Sequence, residues 1–267
     1  MIRVHHFNAV SMCPAGGGLI MGGPLGTPAE LVCHCLLVES SVGLVLVETG
    51  MFASDESTAR RTHQSTMRAL RPRPGIESTA KKAIEKLGFS ADDVQHVIPT
   101  HLDVDHAGGL PDFPRATVHV HSPELDAATA RATLMEQLRY VPAQWKHEVK
   151  WERYESGGDS WQGFGSVRPL EGEPDIAIIP LEGHTRGHVG VAIRTTHGWM
   201  LHAGDAYFHA REMFGSMAPV ALEIFQLTVA ADDSLRRRNR DRLRLLSEGG
   251  EVRVFCAHSR EELDRYT

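Results

Sequence analysis

The sequence predicts an α/β chain in which two β-sheets pack together and carry helices on their outer faces. Three observations lead there. Strand-like runs fall into two groups, each group closes with a helical segment, and no linker or low-complexity tract divides the 267 residues. Apolar residues make up 42% of the chain, enough for a sizeable core, so a single domain over residues 1–267 is expected.

Residues 31–39 and 43–48 are β-rich, and Ser40-Ser41-Val42 between them reads as a hairpin turn. Residues 50–75 read as a loop carrying Arg60, Arg61, Arg68, Arg71 and Arg73. Ile76, Ala80, Ala83, Ile84 and Leu87 recur at helical spacing and stop at Gly88, a suitable C-terminal signal. Strands follow at 94–99 and 116–121. The second leads into Ser122-Pro123-Glu124, where serine can cap a helix and proline can occupy its first turn; that helix is expected to run to about Tyr140. Residues 122–165 read as a helical, aromatic insertion near the site, since Trp145, Trp151, Tyr154 and Trp161 cluster there. Its tryptophans are either a lid over an apolar substrate or ordinary packing. Strands resume at 175–181, 188–195 and 199–203. Residues 235–246 form an amphipathic basic helix, with Arg236, Arg237, Arg238, Arg240, Arg242 and Arg244 expected on an exposed face. A last strand, 252–257, precedes Ser259-Arg260-Glu261-Glu262, whose serine-to-glutamate spacing is that of a capping box.

Composition narrows the function. A formal charge of −6 argues against a general nucleic-acid binder, which carries a basic excess. No stretch approaches the roughly 18 apolar residues of a membrane span, and the first residues lack the apolar run of a signal peptide. The four cysteines show no CxxC pair, as in a reduced, cytoplasmic protein. The outlying number is 16 histidines, which directs attention to metal or acid–base chemistry.

The segment Thr100-His101-Leu102-Asp103-Val104-Asp105-His106-Ala107-Gly108-Gly109 follows directly on a strand and holds four metal-ligand side chains within six residues. On an extended backbone His101 and Asp103 share a side. A turn then lets Asp105 and His106 face a second point nearby, and Gly108-Gly109 permits close backbone packing. So dense a cluster suits two divalent ions, yet four ligands are too few for both. Further donors stand at later strand ends: His184 in Gly183-His184-Thr185-Arg186-Gly187-His188, Asp205 after 199–203, and His258 after 252–257.

These residues closely resemble the metallo-β-lactamase superfamily, whose signature is a HxHxDH loop after a strand, a GHTxGH turn, a strand-end aspartate and a late histidine. The resemblance runs in order from Glu48-Thr49-Gly50 to His258, and the layout is most similar to the branch that opens acyl-homoserine lactones. It implies an αββα four-layer sandwich. It also implies that His101, Asp103 and His184 hold one ion, that Asp105, His106 and His258 hold a second, and that Asp205 bridges them. Two divalent ions are therefore expected, zinc first, with manganese or iron as alternatives.

The departures are specific. Asp103 stands where most relatives have histidine, which favours harder metals and makes the occupied cluster neutral where the histidine form carries one positive charge. Glu48 stands where relatives usually have aspartate, and Arg186 replaces the usual proline. The lactonases carry a catalytic tyrosine three residues past the bridging aspartate; here that position is Phe208, with Tyr207 one step early. His188 is expected beside the ligands rather than among them.

The expected reaction is metal-assisted hydrolysis of a small ester or lactone, with water activated between the ions and Asp105 as the catalytic proton carrier. Alternatives are a di-iron redox enzyme of the same fold, or a phosphodiesterase or nuclease. The expected partner is a small-molecule substrate, with no nucleic acid and no membrane; a homodimer is left open.

Overall fold

The computed structural model describes residues 2–53, 68–73, 79–214 and 218–267. Arg60, Arg61 and the expected helix start at Ile76 lie outside the described residues. The first half contains β1 (Arg3–Asn8), β2 (Ser11–Met12), α1 (Gly17–Ile20), β3 (His34–Ser40), β4 (Gly43–Val47), β5 (Pro72–Arg73) and α2 (Ala80–Lys86). It continues with β6 (Val94–Ile98), α3 (Val104–Ala107), β7 (Thr117–His121), α4 (Ser122–Ala130), α5 (Leu134–Arg139) and β8 (Lys150–Tyr154). The second half contains β9 (Asp159–Trp161), β10 (Phe164–Leu170), β11 (Glu173–Pro180), β12 (Val189–Thr195) and β13 (Gly198–His202). It closes with α6 (Val220–Val229), α7 (Asp233–Glu248), β14 (Val252–Phe255) and α8 (Arg260–Leu263).

Two six-stranded sheets result, ordered β1-β3-β4-β6-β7-β8 and β14-β13-β12-β11-β10-β9. Strand alternation makes them a sandwich. Leu36, Val38, Val45 and Val47 of the first sheet pack on Ile176, Ile178, Val191 and Ile193 of the second, forming the layer between the sheets. Their neighbours Leu37 and Leu46 point the other way, onto Ile84 of α2 and Leu125 of α4. Ala177, Ile179 and Ala192 likewise face outward and share a cluster with Leu243 of α7. Both faces of each sheet are therefore apolar, and the αββα layering follows from burying them all.

Several local expectations change. The helix expected to reach Tyr140 is two helices, broken where Arg131 takes a left-handed conformation (φ 43°) and restarted by the Thr133–Glu136 capping box. Ser122 does not cap it; its hydroxyl donates to Glu155 at 2.7 Å. Residues 122–165 are woven into the sandwich: β8 pairs in parallel with β7, and β9 forms the edge of the other sheet. The tryptophans are packing residues, Trp145 and Trp151 against the first core and Trp161 against the second. Arg236 is not on an exposed face. It is fully buried, held by Asp233 at 2.6 Å and Gln226 at 2.6 Å. The final capping box is half-formed: Ser259 accepts from Glu262 N, but the Glu262 carboxylate turns inward to Cys256 N and the Tyr207 hydroxyl. Among the described residues no helix is long and apolar enough to cross a membrane.

Imidazoles also join strands within the first sheet. His119 of β7 hydrogen-bonds His96 of β6 at 2.9 Å and the Tyr154 hydroxyl of β8 at 2.6 Å. Burial, aided by His96 and Lys150, pushes its pKa from 6.5 down to about 3. Because the folded value is the lower one, this histidine contributes stability above pH 6.5 that is lost as pH falls toward 3. The loss has a limiting slope of about 1.4 kcal/mol per pH unit for one proton. An NMR titration is expected to show the His119 ring neutral at pH 5; a midpoint near 6.5 would contradict the assignment.

Candidate metal centre

The site lies where β6, β11, β13 and β14 end. Backbone bonds lock these ends together: Val189 N donates to Thr100 O at 2.9 Å, Ala203 N to Phe255 O at 2.8 Å and Ala257 N to Gly204 O at 3.0 Å. Residues widely separated in sequence thus arrive at one edge of the sandwich. After β6 the chain runs extended through Asp103 (φ −67°, ψ 157°), then turns into α3. Asp103 occupies the N-cap position of α3 without capping it, so its carboxylate remains available to the site. The turn packs tightly: a Cβ on Gly108 would meet Met51 O at 1.9 Å, and one on Gly109 would meet Thr49 O at 2.4 Å.

All seven expected side chains meet here. His101 Nε2 lies 3.3 Å from Asp103 Oδ2, and His184 Nε2 lies 3.4 Å from the same oxygen. Asp205 stands in the middle. Its Oδ2 is 3.9 Å from His101 Nε2 and 3.5 Å from His184 Nε2. Its Oδ1 is 3.4 Å from His106 Nε2 and 3.1 Å from His258 Nε2. Asp105 Oδ2 completes the second group, 3.6 Å from His106 Nε2 and 3.4 Å from His258 Nε2. Two compact sets of donors emerge, His101/His184/Asp205 and Asp105/His106/His258, each with ligand atoms within 4.8 Å of one another. Asp103 stands just beside the first set.

The residues fit divalent ions. Two donors on a tetrahedral ion, each about 2.1 Å from it, lie roughly 3.4 Å apart, within the 3.1–3.9 Å range of these nitrogen–oxygen pairs. His101 Nε2, His106 Nε2 and Asp205 Oδ1 are buried without a well-aligned hydrogen bond, an expensive state for polar atoms that no cation meets.

Outward contacts orient three of the rings, hydrogen bonds for His101 and His258 and an ion-pair contact for His106. His101 Nδ1 is 3.0 Å from Thr100 Oγ1, His106 Nδ1 is 3.0 Å from Glu48 Oε1, and His258 Nδ1 is 2.7 Å from Val32 O. Each leaves Nε2 facing inward, as metal-ligating histidines require. Glu48 also accepts from Thr100 N and Oγ1, so it steadies two ligands at once. His188 is fully engaged, with Nδ1 on Leu181 O at 3.0 Å and Nε2 accepting from Asp205 N at 2.9 Å; it holds Asp205 from behind.

Two supports were not legible in the sequence. Glu124 accepts from Leu102 N at 2.9 Å and Gly187 N at 3.1 Å, joining the 101–106 loop to the 183–188 turn. Arg139 places Nη1 at 3.1 Å from Asp103 Oδ2 and donates from Nη2 to Val229 O. Both lie on helices in a segment read as an insertion, and neither sits in a metal-ligand motif. Arg186 points away from the donors and pairs with Glu136 at 2.7 Å.

The electrostatics follow from crowding. Burial works against the Asp205 charge, but His258 and His106 overcome it and hold the carboxyl well below its usual range. Burial opposes protonation of His106, yet Glu48, Asp205 and Asp105 push its pKa well above the ordinary value. Burial, followed by Arg139, lowers His184 to about 4. The site as a whole draws positive charge.

A cavity of about 430 Å³ opens over these groups. Its walls include Met12, Ile20, Leu31, Leu138, Phe225 and Val229, with Asp103, Asp105, Asp205, His184 and His258 at the floor. Phe208 lines it too, stacked on His258 with ring centroids 5.1 Å apart. Tyr207 does not replace the lactonase tyrosine: it is buried, and its hydroxyl donates to Glu262 at 3.0 Å.

Comparison with known proteins bears on the family and the fold. The family model described as the metallo-beta-lactamase superfamily matches residues 28–258. A probable metallo-hydrolase of Mycobacterium tuberculosis is 35% identical over 264 residues, covering 98% of this chain and 78% of that protein. An N-acyl homoserine lactonase of Bacillus thuringiensis is 25% identical over 205 residues, 73% of this chain and 72% of that one. Among solved structures, an N-acyl homoserine lactone hydrolase with its product N-hexanoyl-L-homoserine at the catalytic metal centre shares the fold. Its TM-score is 0.71 at 20% identity, over 98% of this chain and 95% of that one. A dizinc quorum-quenching lactonase matches with a TM-score of 0.64 at 16% identity, over 97% and 88% of the two chains.

Glu48→Ala is expected to weaken metal retention roughly 10- to 100-fold, the usual consequence of losing the group that orients a ligand. Chelator competition measures it, and undiminished retention would show that Glu48 does not support His106.

Proposed function

The chain belongs to the metallo-beta-lactamase superfamily and is a metallo-hydrolase; from that premise we propose that it holds two divalent ions, zinc first, and hydrolyses a small, neutral ester or lactone. In this reading His101, Asp103 and His184 hold one ion, Asp105, His106 and His258 hold the other, and Asp205 lies between them. One observation carries it: paired sets of buried His and Asp donors form the floor of a cavity with aliphatic and aromatic walls. Support also comes from lactonases of the same fold, one of them described as a dizinc enzyme.

Bound divalent ions supply Lewis acidity, lowering the pKa of water and polarising a carbonyl. The chain's own groups do the rest. Asp105, at the cavity floor with Oδ2 3.4 Å from His258 Nε2, receives the proton released as water adds to the carbonyl carbon. It returns that proton to the departing oxygen as the carbon–oxygen bond breaks, giving an acid and an alcohol, or a hydroxy acid from a lactone. Phe208, Phe225 and Leu138 exclude water and seat the apolar part of the substrate. Arg139 is the single cationic residue among the described cavity walls, and Asp103 and Val229 already engage it. Among the described cavity walls no basic track meets a phosphodiester backbone, which favours the ester and lactone reading over the nuclease one.

The test is a panel of lactones, aryl esters, phosphoesters and β-lactams on protein of measured metal content. Turnover of neutral lactones or aryl esters is expected, with two ions per chain. Asp205→Asn and His184→Ala should lose metal and at least about 100-fold in activity; full metal and activity in either variant would overturn the ligand assignment. Phe225→Asp should raise KM for substrates with aliphatic chains more than it lowers kcat, read from steady-state kinetics.

A further inference from the structure

We propose that Arg139 is a positioning residue for the first ion site: it fixes Asp103 in ligand pose and cancels its charge, so that the pair substitutes for a neutral imidazole. The inference rests on the two-ion reading above. Asp103 Oδ2 faces three groups at once, His101 Nε2 at 3.3 Å, His184 Nε2 at 3.4 Å and Arg139 Nη1 at 3.1 Å. A lone carboxylate here, with 17% of its side chain exposed, is free to rotate toward water and leave the ligand position.

Arg139 closes that route, and it is itself rigidly placed. Its side chain is only 7% exposed, it ends α5, and its other guanidinium nitrogen is anchored on the Val229 carbonyl at the end of α6. The backbone bridge between Asp103 and Tyr140 clamps the same helix end over the ligand loop. The guanidinium is permanently charged, so the counter-charge does not depend on pH. The neutral cluster expected from Asp103 alone thus regains one positive charge, the value of the all-histidine arrangement.

The experiment measures metal stoichiometry and chelator competition on the purified full chain, without reference to turnover. Wild type is expected to bind two zinc ions; fewer than two would sink the two-ion reading itself. Arg139→Met is expected to lose one ion, or to hold it at least tenfold more weakly, while the second is retained. Arg139→Lys should recover most of that loss because it restores the charge. The decisive arm is Asp103→His with Arg139→Met: in the histidine background, removing the arginine should cost no affinity. Equal losses in both backgrounds would mean general damage to α5, and no loss in the aspartate background would mean that Arg139 does not act on the ligand; either overturns the proposal. Where the methionine variant fails to fold, Arg139→Gln takes its place, with the same outcomes read the same way.

Discussion

The organising constraint in this protein is the confinement of like charges. Asp103, Asp105, Asp205 and Glu48 converge on one edge of the sandwich, and Asp205 and Glu48 are almost fully buried. Carboxylates do not gather in a low-dielectric place unless positive charge gathers with them. Four imidazoles turned Nε2-inward, a guanidinium at Asp103 and donor spacings suited to divalent ions answer that demand. The surrounding structure serves it: strand ends from both sheets are tied by backbone bonds, and outward contacts to Thr100, Glu48 and Val32 leave three of the rings little freedom.

Much of this was legible in the sequence because metal chemistry restricts residue type and strand geometry restricts position. A His or Asp just beyond a β-rich run can be read directly, and all seven side chains so identified meet in space. The layering was readable for a related reason. Runs such as Cys35-Leu36-Leu37-Val38 are apolar on both faces, as a strand covered on two sides must be.

What escaped reading depends on contacts across long separations. Arg139 looks like any helix-terminal arginine, and only the folded chain brings it to Asp103, 36 positions earlier. Glu124 sits in a helix's first turn, where acidic residues are common, and nothing local shows that it joins two ligand loops. Arg236 belongs to a run of arginines that periodicity places in solvent; Asp233, Gln226 and Glu223 draw this one inside. The break at Arg131 was hidden because a left-handed arginine carries no sequence mark. Residues 220–229 were passed over since apolar side chains surround the helix instead of lining one face: Val220, Ile224 and Leu227 are exposed while Phe225 and Val229 line the cavity.

Glu48 has a backbone φ of 66°, a left-handed value that side chains longer than asparagine adopt at a cost of roughly 1–3 kcal/mol. Its grip on His106 and Thr100 is purchased with that strain. Glycine or asparagine here would relax the backbone but leave His106 and Thr100 without their partner, so the strain is kept because the ion pocket needs this carboxylate.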